Sequence, residues 1–185
     1  IREEIKYINN YLPEIKNGGL KILDIGCGFG VFLELARYYK CDPIGTHYDY
    51  SARTFLYNDY CELMFNVQNL NIINLDLYNV IKNDDIIMIK DFDIINCKHA
   101  INLIFLKHFD FKKNCWILSN ELIYLTDKFF ILCNDILNNN GILMIASLTS
   151  KNRKKYTNII KDIAKKNNFK LLINNRNLNY KFIKQ

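Results

Sequence analysis

KILDIGCGFGVFLEL, Lys21 to Leu35, is the stretch that decides the fold. Leu20 to Ile25 is a short run rich in Ile and Leu that stops at glycines, the pattern of a strand buried on both faces of a parallel sheet. Gly26, Gly28 and Gly30 then make a turn, and Val31 to Lys40 reads as a helix. Glycines are needed where the backbone turns tightly and where a ligand must approach with no Cβ in the way. Their spacing is G-x-G-x-G, not the G-x-G-x-x-G that seats a pyrophosphate on a helix N-terminus. Asp24, two residues before the first glycine, fits the same reading. A carboxylate there would repel a pyrophosphate but accept hydrogen bonds from a cationic, amine-bearing ligand.

Outward from this turn, strands and helices alternate. Ile5, Ile8, Leu12 and Ile15 sit at helical spacing in a lead-in segment, residues 1–19, interrupted near Pro13. Asp42 to Tyr48 reads as a strand, Ala52 to Phe65 as a helix and Asn71 to Leu75 as a strand. Phe92 to Cys97 is a further apolar strand, and Ser119 is placed to N-cap a long helix running to Leu137. Asn138 to Gly141 stops that helix, Ile142 to Ser147 is a strand, and Arg153 to Asn167 is an amphipathic helix. Phe169 to Ile173 and Tyr180 to Ile183 are close enough to pair as an antiparallel hairpin. The expectation is one α/β domain over residues 1–185. Its doubly wound, mainly parallel seven-stranded sheet carries helices on both faces and the hairpin at its edge.

LDIGCGFG strongly resembles motif I of the class I S-adenosylmethionine-dependent methyltransferases, an apolar run, an acid, an apolar residue and then G-x-G-x-G. The resemblance implies that Asp24, Gly26, Cys27, Gly28 and Gly30 hold the methionine part of S-adenosylmethionine, with S-adenosylhomocysteine as product. The family's second strand ends in an acid that takes the ribose hydroxyls, and in IGTHYDYS that acid is Asp49. The alternative register aligns Gly45 with the family's usual glycine and puts His47 at that place. A carboxylate accepts from two vicinal hydroxyls where a neutral imidazole offers one acceptor, which favours Asp49. After the third strand, Asp76 corresponds to the acid near the adenine amino group, with Leu77 and Tyr78 to pack on the ring.

FDIINCKHAINLIF, Phe92 to Phe105, resembles the family's strand-four block, with Phe92, Asp93 and His99 on its pattern. Asn96 and Cys97 then fall at the strand's carboxyl end, under the sulfonium. The N-P-P-Y or D-P-P-Y of base amino-methyltransferases is missing, which disfavours that activity. Methyl transfer needs an aligned nucleophile and sometimes a base, and His99 is the candidate for base or pocket residue. Residues 98–118, with His108 and Trp116 among aromatic and basic neighbours, are the expected substrate lid.

Composition bears on the substrate. Of 185 residues, 28 are Ile, 26 Asn and 20 Lys, against five Ala and five Arg. These are residues of A/T-rich codons, so the net charge of +6 is weak evidence for a nucleic-acid partner. The one dense basic run, Lys151 to Lys166, reads first as a solvated helix face. Six cysteines form no C-x-x-C pair, so no metal site is expected and reduced thiols in an intracellular, cytoplasmic protein are. No apolar stretch reaches the ~18 residues of a membrane span and no signal-peptide pattern opens the sequence, and the start at Ile1 rather than Met is expected of a trimmed chain or an excised domain. Methyl transfer to a small molecule or general acceptor is the first reading. An RNA methyltransferase similar to cap guanine-N7 enzymes and a non-catalytic methyltransferase-like subunit with a protein partner are the alternatives.

Overall fold

The computed structural model describes residues 1–47, 65–66, 68–83, 89–98, 108–110, 112–146, 151–174 and 179–185. Helix α1 (Arg2–Tyr11) gives way to a 3-10 turn (Pro13–Asn17) opened by Pro13, whose missing N–H and fixed φ suit a first helical position. Then come β1 (Lys21–Ile25), α2 (Val31–Tyr38), β2 (Asp42–His47), β3 (Ile72–Asn74), α3 (Leu77–Asn83) and β4 (Phe92–Lys98). A small pair, β5 (Phe109–Asp110) and β6 (Cys115–Trp116), precedes α4 (Asn120–Ile136). The chain closes with β7 (Leu137–Ala146), α5 (Arg153–Lys166), β8 (Phe169–Asn174) and β9 (Asn179–Lys184). Ser119 caps α4 as expected, its Oγ accepting from the Leu122 N–H at 3.1 Å.

Seven strands form one sheet in the order β3-β2-β1-β4-β7-β9-β8. β3, β2, β1, β4 and β7 are mutually parallel, and β9 is antiparallel to both of its neighbours. The expected hairpin forms, but its second strand lies inside the sheet and its first strand makes the edge. Burial explains the order: Tyr180, Lys181 and Phe182 of β9 are all buried, whereas Leu172 of β8 is half exposed. The strand with two buried faces takes the inner place.

One face of the sheet is covered by α1, the 3-10 turn and α2, through Ile8, Leu12, Ile15, Leu33 and Ala36 on Ile22, Ile94 and Met144. The other is covered by α3, α4 and α5, through Leu77, Leu122, Phe129, Phe130 and Ile160 on Leu23, Ile95, Leu143 and Phe182. Asn138 to Gly141 do not separate helix from strand, as their composition suggests. β7 starts at Leu137, directly after α4, and these residues bulge out between the pairs Phe92–Leu137 and Ile94–Ile142. Asn138 Nδ2 ties the bulge to Asp93 Oδ1 at 2.9 Å. Helix α3 and the β5–β6 pair are absent from the sequence reading. They are seven and two residues long, too short to show a period.

Candidate active site

The sheet order sets where a ligand can enter. β2 and β3 lie to one side of β1, and β4 and all later strands of this sheet to the other. Such a reversal opens a crevice beyond the carboxyl ends of the strands, here between β1 and β4. Asp24 of β1 lies in register with Gly45 on one side and Asn96 on the other.

Just above Asp24 the glycine turn is held in a left-handed backbone, with φ of 68°, 55° and 77° at Gly26, Gly28 and Gly30. Gly30 is the N-cap of α2, and a Cβ there would run into the Leu70 side chain. Thr46 on β2 fixes the turn from beside it. Its Oγ1 accepts from the Gly26 N–H at 3.1 Å, and its carbonyl accepts from the Cys27 N–H at 3.0 Å. Gly45 lets β2 come this close, since a Cβ would stand 2.6 Å from Leu33 Cδ1 and 2.8 Å from Cys27 Sγ.

Beneath the turn runs a buried polar chain. Tyr7 of α1 donates its hydroxyl to Asn96 Oδ1 at 2.7 Å, and Asn96 Nδ2 donates to Asp24 Oδ1 at 2.7 Å. Burial pushes the Asp24 carboxyl up to about 7, against the Asn96 hydrogen bond, and the charge of Glu4 pushes the same way as burial. Burial, then the nearby Asp24 charge, raises the Tyr7 phenol well above its ordinary range, so it stays a donor at neutral pH. Lys98, two residues past Asn96, pairs with Glu4 of α1 at 2.6 Å and lies 4.6 Å above the Tyr7 ring.

Several members of this cluster escape a linear reading. Thr46 is legible in hindsight as a polar residue inside a buried strand. Tyr7 and Glu4 carry no such signal, because 89 positions separate Tyr7 from Asn96.

The structure brings together Asp24, Gly26, Cys27, Gly28, Gly30 and Asn96 at the head of β1 and β4. Cys27 is buried against the α1–α2 core, and Cys97 points the opposite way, fully buried in the core under α4. Asp76 serves as a cap of α3, accepting from the Asn79 N–H at 3.1 Å and Asn79 Nδ2 at 2.6 Å. Leu77 is turned into the main core rather than toward the crevice. His47, at the end of β2, meets the Phe65 ring edge at 5.4 Å, and its buried Nε2 has no hydrogen-bond partner among the described residues. Asp49 and His99 lie outside the described residues. So do residues 99–107 and Phe111 of the expected lid; in its described part, Trp116 is a core residue stacked on Tyr156 at 4.8 Å.

Solved structures share this architecture. A TehB-like SAM-dependent methyltransferase from Corynebacterium glutamicum matches with a TM-score of 0.60 at 16% identity, covering 98% of this chain and 86% of its own. A methyltransferase from Pyrococcus furiosus also gives 0.60 at 16% identity, over 98% and 80% of the two chains. So does the magnesium protoporphyrin IX methyltransferase of Synechocystis PCC 6803, solved with bound SAM, at 10% identity over 100% and 79%. The chain has the fold of the SAM-dependent methyltransferases. No protein-family model and no curated protein sequence matches it.

Within this methyltransferase fold, Cys27, Cys41, Cys97, Cys115 and Cys133 are not joined in disulfides. Among the described residues no three His, Cys, Asp or Glu side chains gather to hold a metal, and no helix is long and apolar enough to cross a membrane.

Proposed function

We propose that the chain binds S-adenosylmethionine over the β1 turn and transfers its methyl group to a small-molecule or general acceptor. One observation carries the reading: a buried acid and a three-glycine left-handed turn stand together at the point where the sheet reverses direction. The residues fit the cofactor. Gly26 and Gly28 leave backbone accessible with no Cβ, and Asp24 and Asn96 offer polar atoms below the turn. When bound, the cofactor supplies an electrophilic methyl on a sulfonium. The chain's share of the work is to hold that group in line with a nucleophile, which can itself lower the barrier by several kcal/mol, roughly 7 to 11 at best.

Asp76 is the candidate for the adenine end and Asp49, which lies outside the described residues, for the ribose hydroxyls, with His47 as the alternative. Asp76 keeps lone pairs to spare beyond those that Asn79 takes. His99 is proposed as base or pocket residue. A second reading, an RNA acceptor, draws support from Lys151, Lys154 and Lys155, exposed around the start of α5, which follows β7 on the carboxyl side of the sheet. RNA binding that weakens steeply with added salt would favour it.

The test is calorimetry with S-adenosylmethionine and S-adenosylhomocysteine on the folded protein. Binding of both is expected. Absence of binding to either would refute the proposal, and binding with no turnover on any acceptor would favour a non-catalytic subunit.

A further inference from the structure

We infer that Lys98 and Glu4, set over the Tyr7 ring, form the seat for the amino-acid zwitterion of the cofactor, an inference that rests on the S-adenosylmethionine reading above. The register places this pair. Asp24 lies opposite Asn96 on adjacent parallel strands, so Lys98 stands level with Gly26, the first residue of the turn. Side chains alternate along a strand, so Lys98 shares a face with Asn96, the face that α1 covers.

Lys98 is not a solvated surface lysine. Its side chain is 22% exposed and that of Glu4 23%, with 2.6 Å between Nζ and Oε1. A half-desolvated ion pair is stabilising only when its remaining donors and acceptors are also satisfied. Here they are not: Glu4 Oε2 is buried and has no hydrogen-bond partner among the described residues. A buried carboxylate oxygen left unpaired is a place for a donor.

The ligand chemistry that completes the pair carries one cation and one anion a few bonds apart. An α-ammonium donating to Glu4 Oε2 and an α-carboxylate accepting from Lys98 Nζ would close a ring of four charges alternating in sign. Net charge is unchanged, so nothing else need titrate to admit the ligand. A lone carboxylate or a lone amine would satisfy one member and crowd the other. Tyr7 holds Asn96 by its hydroxyl and underlies Lys98 by its ring, so α1 is part of the site.

The test compares two ligands by calorimetry: S-adenosylhomocysteine, and 5′-methylthioadenosine, which keeps the adenine, ribose and thioether but lacks the amino-acid group. The wild-type chain should prefer the first. Lys98→Met and Glu4→Gln should each cut that preference about tenfold or more, the worth of a charge-assisted hydrogen bond. Affinity for methylthioadenosine should stay within about twofold, since no contact to it is removed. Lys98→Arg, which keeps the cation, should recover most of the preference and stands in if Lys98→Met does not fold. Folded variants with the wild-type preference would overturn the inference, as would a wild type that binds both ligands equally well. A wild type that binds neither would overturn the S-adenosylmethionine reading itself.

Discussion

Asp24→Asn isolates the consequence of burying an acid at the heart of the site. Asparagine keeps the acceptor oxygen that Asn96 Nδ2 reaches at 2.7 Å and removes the ionisable proton. In the folded chain burial lifts the Asp24 carboxyl from 3.8 to about 7, so between those values the native state holds a proton that the unfolded chain releases. Stability from this group is therefore fully present below about pH 4 and is lost as pH rises, levelling off above about 7. At 1.36 kcal/mol per pH unit the loss reaches about 4 kcal/mol, a large part of the roughly 5–15 kcal/mol that holds a domain folded. The Asn96 hydrogen bond and the Lys98 charge, which favour the ionised form, oppose part of the burial effect.

Other groups titrate too. The Lys113 backbone N–H holds the Asp110 carboxyl below its ordinary range, which gives the opposite pH trend. The informative quantity is thus the difference between wild type and variant at each pH. Urea unfolding from pH 4 to 8 should show the wild type falling relative to Asp24→Asn by up to about 4 kcal/mol. Equal pH slopes for the two proteins would mean that burial does not hold the proton on Asp24.

Two further substitutions separate site from scaffold. Gly30→Ala should cost at least about 1–2 kcal/mol for a left-handed residue, and more from the clash with Leu70, while weakening S-adenosylhomocysteine binding in a titration. Unchanged affinity would detach the turn from the cofactor. Trp116→Ala should lower stability by about 3–5 kcal/mol in a denaturant melt, as for a buried aromatic between Tyr156 and Phe109. A surface-like loss under about 0.5 kcal/mol would return Trp116 to a lid.

Local events are legible from the residues alone. An apolar run ending at Asp24 and three glycines specifies a buried strand, a left-handed turn and the helix after it, because each step depends on neighbours in the chain. Ser119, Pro13 and the amphipathic stripe of α5 are legible for the same reason. Asp24 and Asn96 could each be named as site residues, but not as partners in one hydrogen bond. Tertiary structure decided that pairing, along with the reach of Tyr7 and Glu4 from α1 to β4 and the seating of β9 inside the sheet. It also turned Leu77 and Trp116 into the core, where an apolar side chain is worth more than at the mouth of a crevice. These outcomes depend on which faces are left to bury once the strands are ordered. Residues as many as 167 positions apart meet in that arrangement, such as Lys181 with Glu14, and no local pattern exists for such contacts.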